Sequence, residues 1–114
     1  MNLTQTGGSF QLASLPSSSS DVVFTQIELQ CTAGAGITTD AVVVVTDQDG
    51  NVIVPAMTLT NFRLAGDVFS LVVAGATRLL QQNPTGAALL LLVNTPASTG
   101  TLMATARAIG FAIV

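Results

Sequence analysis

The 114-residue chain fits one domain, long enough to bury roughly two-thirds of the surface its unfolded form exposes. With three Arg, no Lys and six acids it has a net charge of −3, and only 8% of its residues are charged against 49% apolar. That excludes the cationic footprint that nucleic acid or an anionic membrane surface demands, and a lone Cys31 excludes an intramolecular disulfide.

In chain order, the start "MNLTQTGGSF" holds no basic residue and no long apolar stretch, so no secretion signal is expected. "SFQLASL" alternates through Phe10 and Leu12, then slips at Ala13, as a short strand or an extended arm would. "PSSSS" at 16–20 is a low-complexity link. The expected division is therefore an arm and link over 1–20 and a β-domain over 21–114.

From Asp21, "DVVFTQIELQCTA" has period two. Val23, Thr25, Ile27, Leu29 and Cys31 form one face, and Phe24, Gln26, Glu28 and Gln30 the other. Cys31 reads as a buried, inert thiol, while Phe24, on the Gln/Glu side, would mark a contact surface if exposed. "GAG" at 34–36 breaks the strand. Two β-branched runs then flank "DQDGN" at 47–51, a hairpin signal in which Gly50 supplies positive φ. Pro55 cannot donate to a ladder, so the second run is expected to lie at a sheet edge or to end near that residue.

"DVFSLVVA" at 67–74 is apolar on both faces and predicts a central strand between two layers. "TRLLQQ" at 77–82 allows a short helix capped by Thr77, or extended chain. "AALLLLVNT" reads as a buried strand after the "NPTG" turn. It and "AVVVV" at 41–45 are far shorter than the ~20 apolar residues that span a bilayer as a helix.

The closing segment "TLMATARAIGFAIV" separates Leu102, Ala104, Ala106, Ala108, Gly110 and Ala112 from Met103, Thr105, Arg107, Ile109, Phe111 and Ile113. The bulky set is expected in the core. The flat set allows close approach by another sheet of the same sandwich or by a symmetry-related chain. Arg107, among bulky neighbours, is expected near a strand end or paired with a carboxylate, even one from another subunit. Seven or eight short strands without long helices predict an all-β, antiparallel β-sandwich or jelly roll.

The inventory for chemistry is thin. Without His, Lys, Tyr or Trp, the chain has no common general base, Schiff-base amine or phenolic donor, and neither Cys31 nor any Ser has an activating partner. Paired carboxylates hydrolyse glycosides, but five Phe serve the core before they line a sugar cleft. No catalytic, cofactor or metal site is therefore expected. "DQDGN" resembles the opening of a calcium loop, yet it lacks the later ligands and the distal Glu. "GAGI" at 34–37 has no following helix and no Lys to make a phosphate cradle.

A Lys-free, Cys-poor, Ala/Val/Thr/Gly-rich β-domain of this size, with the polar start "MNLTQTGGSF" and a Ser-rich link, resembles the small cement or decoration proteins of tailed-phage capsids. The resemblance lies in composition, length and β-layout. It implies a homotrimer seated on the major capsid protein, made in the host cytoplasm and ending on the virion surface, with residues 1–20 as anchor and the closing strand as a subunit contact. The strand patterns themselves, not the resemblance, supply the candidate contact residues: Phe10, Leu12, Phe24, Ala104, Ala106, Arg107, Ala108, Gly110 and Ala112. Fimbrial subunits share the composition but use export and a disulfide pair. The alternative is a ligand- or receptor-binding β-module of a phage fibre, with loops 47–51 or 60–67 as its site.

Overall fold

The sandwich is organised on its longest strand, β2 (Val22–Ala35), which pairs antiparallel with β8 (Thr101–Ala112) along one edge. On the opposite edge it carries β5 (Val68–Val72) and the two-residue β6 (Leu79–Leu80). The second sheet has the order β1–β7–β3–β4, formed by Ser9–Leu15, Ala87–Thr95, Val42–Asp47 and Val52–Thr58, again antiparallel throughout. This is a computed structural model describing residues 1–5, 7–15, 22–73, 79–80 and 87–112; among these there is no helix. The all-β antiparallel sandwich expected from the alternating pattern is what they form.

Inward-facing residues of the two sheets meet in one core. Ile27, Leu29 and Cys31 of β2 and Leu102 and Ala104 of β8 face Val43 and Val45 of β3 and Leu89, Leu91 and Val93 of β7, all buried. Leu59, Phe62, Ala97 and Leu3 close it at the ends. β7 lies inside its sheet, as its unbroken apolar run predicts. Pro55 lies in the edge strand β4, where register shifts between Val43 and Val45, a position that loses no ladder bond to proline.

Four expectations need correction. First, residues 1–15 are no detached arm. β1 pairs with β7, Leu3 is fully buried, and Leu3 N and Ala104 N donate to Leu102 O (2.9 Å) and Met1 O (3.0 Å). The N-terminus thus begins beside β8 in one sheet and continues as β1 in the other. The 16–20 link lies outside the described residues.

Second, Phe24 is buried. A bulge between Phe24 and Gln26 inverts the alternation, so Phe24 points inward with Ile27, Leu29 and Cys31. Third, β5 is an edge strand rather than a central one: it pairs with β2 alone among the described strands, and Val68 and Val72 are 58% and 76% exposed.

Fourth, the bulky set of the closing strand is not in the core; the flat set is, and the expected close approach to it is made by the other sheet of the same sandwich. Leu102 and Ala104 are buried, and Ala106 and Ala108 pack against the core, while Met103, Thr105, Arg107 and Ile109 face outward. The reason is the close approach of β1, whose Cα atoms come within 8 Å of those of β8. A bulky inner face would hold the two sheets apart there. Of the 77–82 segment only Leu79–Leu80 is described, and it is extended.

Candidate interaction surface

Register fixes which side chains share the outer face of the β2 sheet. One row across it is Val72, Gln26 and Ile109; the next is Ser70, Glu28 and Arg107; the third is Val68, Gln30 and Thr105. Met103 lies beyond Thr105 on the same side of β8. Val68, Val72, Met103 and Ile109 are exposed, so the middle row is charged and apolar side chains stand at its corners.

At the centre, Arg107 Nη2 lies 3.0 Å from Glu28 Oε1. Arg107 therefore sits mid-strand and finds its carboxylate within its own chain. Its side chain is 68% exposed and that of Glu28 29%, so water screens the pair and it contributes at most about 1 kcal/mol to the isolated fold. Around it lies a shallow depression of about 380 Å³ lined by Glu28, Gln30, Thr105, Ala106 and Arg107.

The other contact residues expected from the sequence are scattered. Phe10 and Leu12 are half-buried against the chain's own core on β1, where a register shift between Gln11 and Ala13 accounts for the slip in the pattern. Ala104, Ala106 and Ala108 line the inner face of β8. Gly110 pairs with Phe24, and a Cβ there would collide with the carbonyl oxygen of Val23. Ala112 pairs through its backbone with Val22, and its side chain lies outside the described residues. Only Arg107 of the set belongs to the outer face. Sequence reasoning missed Glu28, Val68, Val72, Met103 and Ile109 there. The available signal was the Gln26–Glu28–Gln30 face of β2, which marks the solvent side that its neighbours must share.

A second depression, about 310 Å³ and lined by apolar side chains, opens between edge strands β4 and β5, at residues 53–57 and 71–73. On the far sheet, the outer positions Val44, Leu90 and Leu92 are half-buried and also apolar.

The polar loops are occupied with their own closure. In the β3–β4 turn, Asp47 Oδ1 accepts from Asp49 N and Asn51 N, both at 2.9 Å, and Asp47 Oδ2 accepts from Asn51 Nδ2 at 2.9 Å; Gly50 has φ 86°. Partial burial pushes the Asp47 carboxyl up, but the bonds from Asn51, Asp49 and Gly50 outweigh it and hold the group below its ordinary value. No group of three His, Cys, Asp or Glu able to hold a metal ion occurs among the described residues.

In the 63–67 loop, Asp67 Oδ2 accepts from Arg63 N (3.0 Å) and Leu64 N (2.8 Å), which lowers its pKa. Arg63 Nε pairs with Asp40 at 2.7 Å. Gly34 is required beneath this loop, because any Cβ would run into the Arg63 carbonyl. Cys31 is 1% exposed. Burial pushes its thiol pKa up; a hydrogen bond from the Ala33 backbone lowers it in part, and the nearby Asp67 charge raises it further.

Comparison with protein-family models, curated proteins and solved structures finds no match for this chain.

Proposed function

We propose that this chain is a structural subunit that works by assembling with copies of itself on a larger particle, in the manner of a capsid cement or decoration protein, and that it performs no catalysis. The observation that carries the reading is the outer face of the β2 sheet. Four large apolar side chains are exposed there, and the only charges in its three rows are one opposed pair. In a chain with 8% charged residues, such a face has little to keep copies apart.

Burying it contributes about 25 cal/mol per Å² of apolar area. The half-buried Val44, Leu90 and Leu92 give the opposite sheet an apolar exterior suited to a second contact, with a host particle. Three copies on a major capsid protein is the arrangement the resemblance supplies. The absence of His, Lys, Tyr and Trp supports a mechanical role over an enzymatic one.

One observation favours a second reading, a ligand-binding module: the apolar cleft between β4 and β5. Loops 47–51 and 60–67 serve it poorly, because their acids at 47 and 67 are spent on their own backbones. Native mass of the purified chain separates the two. An oligomer at micromolar concentration supports assembly; a persistent monomer that binds a glycan or aliphatic probe supports the second.

A further inference from the structure

We infer that copies of this chain meet in pairs through the outer face of the β2 sheet, the Glu28 carboxylate of each copy opposite the Arg107 guanidinium of the other. This rests on the self-assembling reading above, but it replaces the threefold count with a twofold one.

The charge pattern commits the face to a second copy. In its three rows the only ionic groups are one acid and one base, 3.0 Å apart at the centre. The other charges of the described residues lie outside these rows: Asp47 and Asp49 in the β3–β4 turn, Asp40 paired with Arg63, Asp67 closing its own loop, and the Met1 ammonium donating to Ala104 O along the outer edge of β8. The three rows are therefore neutral in sum and dipolar at their middle. Such a pattern has no attraction for a strongly charged partner, yet it is complementary to itself after half a turn, as an isologous contact requires.

Glu28 of each copy meets Arg107 of the other when the twofold axis runs along the strands between β2 and β8, which keeps the rows in register and lays Ile109 of each copy over Gln26 of the other. The depression of about 380 Å³ beside the ion pair receives the approaching Arg107, whose planar fork can bond both its own and the opposing carboxylate.

The test uses two charge variants of the full chain, Arg107→Glu, whose face carries two acids, and Glu28→Arg, whose face carries two bases. Circular dichroism first establishes that each is folded, which the exposure of both sites favours. Sedimentation should then show a wild-type dimer or even multiple, each variant alone associating at least about tenfold more weakly, and an equimolar mixture of the two restoring association. Ile109→Glu, at an outward-facing position of β8 beside Arg107, should weaken association without altering the fold. A wild-type monomer overturns both this inference and the self-assembling reading. An oligomer that neither charge variant weakens, or two weakened variants that fail to associate when mixed, overturns the assignment of this face while leaving self-assembly standing.

Discussion

On one flank of the sandwich β1 lies close against β8, whose inner residues shrink to Ala104, Ala106 and Ala108. On the other flank β4 and β5 present larger inner residues, Ile53, Met57, Phe69 and Leu71, and leave an apolar cleft of about 310 Å³ between them. The closed flank is also stitched by residues 1–3, which pair with β8 before the chain crosses to the other sheet. Sheet separation follows inner side-chain volume: small residues allow approach, and approach makes a seam that tolerates no added atoms. The open flank keeps room.

Breaking the closed flank should have the largest effect. Leu3→Ala removes a fully buried side chain from the crossing segment and should cost about 2–5 kcal/mol in chemical denaturation. Overpacking comes next: Ala104→Leu, at a 2% exposed site, should cost about 1–3 kcal/mol. The matched change on the open flank, Ala56→Leu at an exposed position, should stay within about 0.5 kcal/mol. Equal costs would mean that the two seams are packed alike.

A smaller effect belongs to the turn that begins the open-flank strand β4. The Asp47 carboxyl is depressed below its ordinary 3.8 in the folded chain, so its contribution is present above the unfolded value and is lost as pH falls through the lower folded one. The stability difference between wild type and Asp47→Ala should thus narrow below about pH 4. Because solvent screens the group, it should not exceed about 1 kcal/mol at neutral pH. A difference that widens on acidification would contradict the hydrogen-bonding account of the turn. Least in energy but simplest to read, Cys31 should react with a thiol reagent only as fast as the sandwich opens, since burial both hides and protonates it.

Alternation and turn chemistry made the architecture legible. The hairpin at "DQDGN", the edge position of Pro55 and the interior strand at "AALLLLV" all follow from local rules that the tertiary structure obeys. Phe24 was not legible, because a single bulge shifts every residue before it to the other face, and nothing in "VVFTQ" marks where the extra residue falls. The closing strand misleads for a different reason. The rule that bulky residues go inside presumes equal space across the sheet, whereas β8 lies where β1 leaves space only for Ala. The same inversion moved the candidate contact from the alanines to Arg107 and its apolar neighbours. Glu28 and Arg107 become partners only once the β2–β8 register is known, 79 positions apart in the chain.

The central claim, that this charge-poor exterior is covered by copies of the same chain, is tested most directly by native mass measured over a dilution series of the untagged full chain. The account predicts a dimer or an even multiple that dissociates only well below micromolar concentration and does so more readily after Arg107→Glu. A mass of one chain at every concentration would contradict it.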